Sequence, residues 1–235
     1  MIKNYWEERS DKPFTGTDED TPETEWERQQ QRMLASYVTE GRVLKVDAWN
    51  EGGRKGVFNV ELLKNVDFTC IDVSRKTCAK AHRKHGWINV ACADMRRLPF
   101  RNSVFDMVLD ISSSDHLPFS DFPSVVEGYK KVLKQSGKLL LVHNKKNGVA
   151  VAAYHVANVF KRLRKQPIRP RHYRFDYDFE ASKVENTLKK DFEILETKPY
   201  GNPIIKHFRK LLAGLGWRMF YKSQLLFAQK KSEPA

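Results

Sequence analysis

Cysteine is scarce in this sequence and long apolar runs are absent, and both shortages limit where the protein can work. Its 235 residues include only Cys70, Cys78 and Cys92, with no C-x-x-C pair, which indicates reduced thiols rather than a disulfide framework. Apolar runs such as the LLLV of 139–142 are too short to span a bilayer. The opening MIKNYWEERSDK lacks the apolar core of a signal peptide. We therefore expect a cytoplasmic protein.

Acidic side chains become rare toward the C-terminus. Residues 145–235 carry 20 basic and 8 acidic side chains, whereas residues 1–40 carry 5 and 10, and the net charge is +13. A basic surface of this kind attracts phosphates, anionic lipids or nucleic acid. A solvated Lys/Arg face has the same composition, so the charge alone does not choose a partner.

Strand-like and helix-like segments alternate along the chain. Such alternation is typical of β-α-β units, which build a parallel sheet. Helices are predicted over 21–38, with Thr21 as the N-cap and Pro22 in the first turn, and over 74–86 and 121–137, ending at Gly86 and Gly137. The predicted strands are 43–46, 67–71, 88–92, 105–111, 138–143, 191–199 and 223–231.

Polar residues follow most of these strands directly. In a parallel sheet the ligand lies beyond the carboxyl ends of the strands, so these positions are the candidates for a site. They are Asp47, Trp49 and Glu51 after the first strand, Asp72 after the second, Asp94 after the third, Asp110, Asp115 and His116 around the end of the fourth, and His143 with Asn144 after the fifth.

The order of these pieces is similar to that of a known enzyme family. IDVS (71–74), ADMRRLPFRNSVFDMVLDISSSDHLP (93–118) and GYKKVLKQSGKLLLV (128–142) resemble the class I S-adenosylmethionine-dependent methyltransferases of the small-molecule, type 11-like kind. The resemblance implies a Rossmann-like three-layer sandwich whose seven-stranded sheet is mostly parallel with an antiparallel last strand. It implies a domain over 41–235 with basic helical insertions at about 150–175 and 203–222, and an N-terminal helical segment, 1–40, that covers the cofactor site.

The resemblance also assigns roles to residues at the strand ends. Asp72 and the adjoining Val73 would bind the ribose of S-adenosylmethionine. Asp94 and the backbone of Met95 would bind the adenine. Asp110 and Ile111 would face the methionine moiety.

The first motif departs from the family pattern. The family typically has an acidic residue in the first strand and then G-x-G-x-G, in which glycine lets the backbone approach the ligand closely. The aligned positions here are Lys45, Asp47, Trp49 and Glu51, and the glycines come late, at Gly52, Gly53 and Gly56.

Two interpretations of this loop are open. In the first, the loop is rebuilt, the late glycines supply flexibility, and Asp47 or Glu51 receives the cofactor's ammonium group. In the second, cofactor binding is lost and the fold serves as a binding module. The sequence favours the first, because Asp72 and Asp94 still occupy the ribose and adenine positions.

Two histidines are candidates for a general base, which methyl transfer needs only when the acceptor is protonated. His116 follows the fourth strand, and Asp115 could orient it; the alternative is that Asp115 caps a turn and His116 packs at its base. His143 is a second candidate, or it simply closes its strand. Cys78, His82 and His85 have the spacing of metal ligands on a helix, but no fourth ligand is near, and a solvated face is favoured with no metal expected.

The acceptor is the least defined part of the prediction. Segments 154–175 and 204–222 are basic and amphipathic, which suits peripheral contact with the inner membrane face or packing around an acceptor pocket. Strand 4 ends in DISS rather than in a base-stacking N/D-P-P-Y, and no G-x-G-x-x-G follows strand 1, which argues against nucleic-acid acceptors and dinucleotide oxidoreductases. We predict methyl transfer to a small, anionic or lipid-linked molecule; the alternatives are a non-catalytic binding protein and an RNA methyltransferase.

Overall fold

A single seven-stranded sheet organises the chain. The computed structural model describes residues 2–10, 24–38, 40–53, 58–63, 65–146, 177–203 and 221–232. The strands are β1 (Arg42–Lys45), β2 (Asp67–Asp72), β3 (Asn89–Cys92), β4 (Phe105–Ile111), β5 (Leu133–Asn144), β6 (Phe192–Pro203) and β7 (Tyr221–Lys230). The helices are α1 (Ile2–Arg9), α2 (Glu25–Ala35), α3 (Trp49–Gly52), α4 (Arg75–Lys84), α5 (Phe122–Val132) and α6 (Ala181–Leu188), with short 3-10 turns at Val60–Leu63 and Ser114–His116.

The strand order is β3-β2-β1-β4-β5-β7-β6. The pairs among β1 to β5 are parallel, whereas β7 runs antiparallel to both β5 and β6. The predicted Rossmann-like sheet with an antiparallel last strand is therefore confirmed. The strands run outward from β1 to β3 on one side of the sheet and outward from β4 to β5 on the other, so the strand order switches between β1 and β4, which is where parallel sheets bind their ligands.

Apolar side chains cover both faces of the sheet, as is typical of a parallel sheet with helices packed on both sides. On one face, Leu139 and Leu141 of β5 pack with buried residues of α5 and α6. On the other face, Leu140 and Val142 of the same strand belong to a second core with Leu34 of α2. The alternation along β5 produces the three layers.

Two predicted element boundaries were wrong. Helix α2 begins at Glu25, and Thr24 caps it in a capping box with Glu27; Thr21 and Pro22 lie outside the described residues. Helix α5 ends at Val132 rather than at Gly137, because the chain is already in β5 from Leu133 onward.

The early start of β5 has a local cause. Leu133 pairs with Phe105, an irregularity in the ladder follows, and Lys138 then pairs with Met107. Ser136 takes a left-handed φ of 59° within this irregular stretch. The residues between Leu133 and Gly137 therefore form a bulged strand, although their composition suits a helix.

The predicted basic insertions at 150–175 and 203–222, with the amphipathic segments 154–175 and 204–222, lie almost wholly outside the described residues, as does Gly56. In the part of the chain that is described, no helix is long and apolar enough to cross a bilayer.

Candidate active site

The loop after β1 folds into a helical turn instead of a glycine-rich loop. Helix α3 begins at Trp49, and the N–H of Gly52 donates to the carbonyl of Ala48 at 2.8 Å. A Cβ on Gly52 would lie 2.4 Å from the Thr77 carbonyl oxygen of α4. Gly52 is thus required for close packing of α3 on α4, and Trp49 does not have to follow the path of a glycine-rich turn.

A buried ion-pair network holds this loop. The ammonium of Lys45 lies 2.6 Å from Oδ1 of Asp47 and 3.1 Å from Oε2 of Glu51, and it also donates to the Asp47 carbonyl. Asp47 accepts two further hydrogen bonds, from the Ser113 hydroxyl at 2.6 Å and from the Trp49 N–H at 3.1 Å. The network joins the loop after β1 to the loop after β4.

The charges of this network depend on one another because they are buried. Burial lowers the pKa of Lys45, but the carboxylates of Asp47 and Glu51 outweigh it and raise that pKa above its ordinary value. Burial raises the pKa of Glu51, and the Lys45 ammonium opposes the rise. Glu51 Oε1 is buried and has no hydrogen-bond partner within the described part of the chain. This oxygen is available to a donor brought by a ligand.

Asp72 ends β2 beside the same loop. Its Oδ2 accepts the Ala48 N–H at 3.2 Å, and its Oδ1 accepts the Ser74 N–H at 2.8 Å. Burial raises the pKa of Asp72 to about 6, against the effect of these two backbone donors. Each carboxylate oxygen has a further lone pair, so two vicinal hydroxyls can still donate to Asp72. The adjoining Val73 carbonyl contacts the Cys92 sulfur at 3.8 Å.

Asp94 follows β3 and is bound by an arginine. The Arg96 guanidinium donates to the Asp94 carboxylate, with 2.6 Å between Oδ2 and the closer terminal nitrogen. The backbone N–H of Arg96 donates to Oδ1 at 2.9 Å. Burial works in the other direction, but the hydrogen bonds from Arg96 hold the pKa of Asp94 below its ordinary value. Met95 packs partly buried against the core. An adenine amine would have to share Asp94 with Arg96.

Asp110 is fully buried near the end of β4, and it organises the loop that follows. Its Oδ1 accepts the N–H groups of Ser113 and Ser114, both at 3.1 Å, and its Oδ2 accepts the Tyr129 hydroxyl at 3.0 Å. Burial raises the pKa of Asp110. Ile111 lies in the core. These contacts give Asp110 a structural role, and its contact with a methionine moiety stays a prediction.

The Asp115 side chain connects two strand ends. Its Oδ2 accepts the Asn144 N–H at 2.8 Å, which ties the loop after β4 to the end of β5. His116 is partly exposed beside it, and its ring lies 4.6 Å from the Trp6 ring. The structure therefore gives Asp115 a positioning role, while general-base catalysis by His116 stays a prediction.

Trp6 places helix α1 against the candidate site. Its indole contacts His116 on one side and Trp49 on the other, with 6.1 Å between the two indole centroids. Lys80 of α4 donates to the Ser10 carbonyl at 2.6 Å and anchors the end of α1. These contacts do not test the prediction that residues 1–40 cover a bound cofactor, which stays a prediction.

His143 is fully buried on β5. Its Nδ1 lies 3.0 Å from the Asn144 carbonyl, which can only accept, so Nδ1 carries the proton. Burial lowers the pKa of His143 to about 4, so the imidazole is neutral and Nε2 is a bare acceptor. No residue in the described ranges forms a hydrogen bond with Nε2.

The three candidate metal ligands on and just after α4 make different contacts. Cys78 contacts the Asp72 carbonyl at 3.5 Å, and His85 pairs with Glu61 at 2.8 Å, while His82 is exposed. Among the described residues, no three His, Cys, Asp or Glu side chains are grouped as metal ligands.

Sequence reasoning missed three contacts that shape the site. Ser113 belongs to the SSS run after β4, and its bond to Asp47 could have been suspected from that position. Nothing in the local sequence points to Gln224 as the cross-strand neighbour of His143, because 81 positions separate them. Gly53 was predicted to give the loop flexibility, and here its carbonyl accepts from Lys84 at 2.9 Å.

The comparisons with known proteins agree with this geometry. The methyltransferase domain family matches residues 52–141, from the end of α3 through most of β5. The match begins at Gly52, so β1 and the altered first motif lie before it. No curated protein sequence matches the chain significantly.

Several solved structures share the fold. The PH0226 protein of Pyrococcus horikoshii OT3 is 19% identical with a TM-score of 0.61, covering 92% of this chain and 95% of its own. The N-methyltransferase NodS of Bradyrhizobium japonicum WM9, solved with S-adenosyl-L-homocysteine, is 14% identical with a TM-score of 0.60, covering 98% and 99%. The [4+2]-cyclase SpnF is 17% identical with a TM-score of 0.57, covering 99% and 93%. Residues 52–141 thus match the methyltransferase domain family, and the chain shares its seven-stranded fold with these structures.

Proposed function

We propose that the protein transfers a methyl group from S-adenosylmethionine to a small-molecule acceptor. The observation that carries the proposal is the position of Asp72, whose carboxylate ends β2 within hydrogen-bond distance of the rebuilt loop after β1. A carboxylate at this point can accept both hydroxyls of a ribose. The S-adenosyl-L-homocysteine complex of NodS, which shares the fold, supports the choice of cofactor.

The charge of the rebuilt loop suits a cationic cofactor. The side chains of Asp47, Glu51 and Asp72 bring three carboxylates together with one ammonium, that of Lys45. The cofactor would supply a sulfonium methyl group and an amino-acid ammonium, and Glu51 Oε1, which has no hydrogen-bond partner among the described residues, would accept from the latter. Lys45 fixes both loop carboxylates, so the acidic function that the family has in its first strand is moved into the loop.

The residues of the chain contribute mainly by alignment. Displacement at a sulfonium needs an in-line approach, and holding both partners in register supplies much of the rate. Asp72 and Asp47 fix one end of the site through backbone and hydroxyl contacts, and the Trp6 and Trp49 indoles lie edge to face beside the loop after β1.

Calorimetry with S-adenosylmethionine and S-adenosylhomocysteine tests the proposal. We expect micromolar binding, weakened by about 2–4 kcal/mol in Asp72→Ala, the value of a pair of charge-assisted hydrogen bonds. Asp67→Ala is the matched control, because Asp67 begins the same strand at its opposite end and pairs with Arg42 on the surface. No binding by the wild-type chain would leave a non-catalytic module.

That second function has an observation in its favour. The first motif lies outside the matched domain, and the neighbour SpnF is a [4+2]-cyclase, so this fold also serves other chemistry. This function would be established if the protein binds a small molecule but binds neither S-adenosylmethionine nor S-adenosylhomocysteine. An RNA acceptor is a further alternative, which methylation of total RNA with labelled cofactor would reveal.

The acceptor's class and the membrane contact belong to the proposal as well. The basic excess of residues 145–235 supports an anionic or lipid-linked acceptor. Co-sedimentation with liposomes should then require anionic lipid and weaken as salt is raised. Equal sedimentation with and without anionic lipid, or no sedimentation at all, would refute the proposed membrane contact.

A further inference from the structure

Two buried hydrogen-bond acceptors face each other across neighbouring strands near the carboxyl edge of the sheet. His143 of β5 and Gln224 of β7 are direct partners in the antiparallel ladder, so their side chains project from the same face. His143 is fully buried and Gln224 is 7% exposed. Among the residues that the structure describes, neither His143 Nε2 nor Gln224 Oε1 has a hydrogen-bond partner.

The chemistry of the surroundings fixes both groups as acceptors. The Asn144 carbonyl requires a proton on Nδ1 of His143, which leaves Nε2 with a lone pair. The Glu185 carboxylate lies 3.0 Å from Nε2 of Gln224 and can only accept, so it orients the amide and leaves Oε1 as the open end. Two buried acceptors side by side cannot satisfy each other, and leaving both unmet is costly.

We propose that His143 Nε2 and Gln224 Oε1 bind the donor group of the methyl acceptor, a hydroxyl or N–H, and that His143 receives its proton. The Phe179 ring lies 6.2 Å from the imidazole and packs against Phe119 and Phe122, so the wall beside the pair is aromatic. The chemical class is therefore an aromatic hydroxyl or aromatic amine. This inference rests on the proposed function.

The pair is placed for this role by the loop after β4. Asp115 binds the Asn144 N–H, and the Ser112 N–H donates to the Val142 carbonyl, so the ends of β4 and β5 are held together on either side of His143. As the acceptor's oxygen or nitrogen bonds to the methyl carbon, the carbon–sulfur bond breaks and its electron pair stays on sulfur. The acceptor's proton passes to Nε2, which is bare before the reaction.

Nitrogen NMR of the full chain with 15N-labelled histidine tests the inference, with S-adenosylhomocysteine present. Phenol and aniline are the donor probes, and anisole and N,N-dimethylaniline are matched controls without the O–H or N–H. We expect the His143 Nε2 signal to move saturably with phenol and aniline and not with their methylated counterparts. The signal of exposed His82 should move with none of them.

Gln224→Met removes one of the two acceptors and should weaken the phenol response about fivefold, the value of one hydrogen bond. Equal responses to phenol and anisole, or no response at all, overturn the inference. A Nε2 signal already shifted by bound water, and unchanged by every probe, does the same. Calorimetry on the same sample keeps the outcomes apart: cofactor binding without a His143 response refutes this inference alone, whereas the absence of cofactor binding refutes the proposed function and, with it, the methyl-acceptor role of the pair.

Discussion

Lys45 and Glu51 form a fully buried ion pair, with 3.1 Å between Nζ and Oε2. The partners come from the last residue of β1 and from helix α3, so the pair fixes the rebuilt loop to the sheet. A buried pair is costly to break, because the remaining charge loses its partner without gaining water.

Lys45→Met should therefore lower the free energy of unfolding by about 3–5 kcal/mol, measured by urea denaturation. Adding Glu51→Gln should restore part of this loss, because it removes one of the uncompensated charges. Lys198→Ala, which breaks the exposed pair with Glu196, is the control and should cost less than about 1 kcal/mol. A loss as small for Lys45→Met as for Lys198→Ala would contradict the buried network.

Gly52 and Gly86 make a second matched comparison. A Cβ at Gly52 would lie 2.4 Å from the Thr77 carbonyl oxygen, whereas a Cβ at Gly86 meets nothing within 4 Å. We expect Gly52→Ala to destabilise the protein by about 1–3 kcal/mol, and Gly86→Ala to change its stability by less than about 1 kcal/mol. Equal thermal unfolding temperatures for the two variants would show that α3 does not pack on α4 as described.

The alternation of strands and helices predicted the sheet, because a buried parallel strand and an amphipathic helix have different apolar periods. The same reasoning failed at 133–137, where helix-forming residues lie in a bulged strand whose pairing with Phe105 depends on tertiary contacts. It also left the loop after β1 undecided. No local sequence pattern predicts that Lys45 and Glu51 form an ion pair, or that a helix begins at Trp49.

At the site, the sequence predicted which residues follow individual strands, but not which of them contact each other. Asp72 and Asp94 were located from that rule, and both lie at strand ends in the structure. Contacts between distant segments were not predictable, since the roles of Ser113 and Gln224 depend on strand order and register. Asp110 lies where it was predicted, near the end of β4, but its carboxylate is bound by other residues of the chain, such as Tyr129.

Cofactor affinity should depend on pH through Asp72. Burial raises the pKa of Asp72 to about 6, and both of its carboxyl oxygens are strong acceptors for the ribose hydroxyls only when the group is ionised. Acidification protonates the free protein first, so affinity for S-adenosylmethionine should fall about tenfold per pH unit below about pH 6. Asp72→Asn should bind weakly but with no such slope. Calorimetry in two buffers of different ionisation enthalpy should detect proton release near pH 6, and its absence would contradict the role of Asp72.

Acid stability should depend on His143. Burial lowers the pKa of His143 from 6.5 to about 4, so the unfolded chain binds a proton that the native chain does not. The native state should therefore lose up to about 3 kcal/mol as the pH falls from 6.5 to 4, with no further loss from this group below 4. The difference in unfolding free energy between wild type and His143→Gln should shrink over that window. A constant difference would mean that His143 is not buried as a neutral ring.

A structure from crystals grown with saturating S-adenosylhomocysteine is the most direct test that the cofactor binds beside Asp72 despite the altered first motif. The account predicts a nucleoside over the carboxyl edge of the sheet, with both ribose hydroxyls on the Asp72 carboxylate, the amino-acid ammonium on Glu51 Oε1, and the Trp49 indole outside the nucleoside's space. The contradictory result is a site without nucleoside under these conditions, with the Trp49 indole filling the crevice beside Asp72.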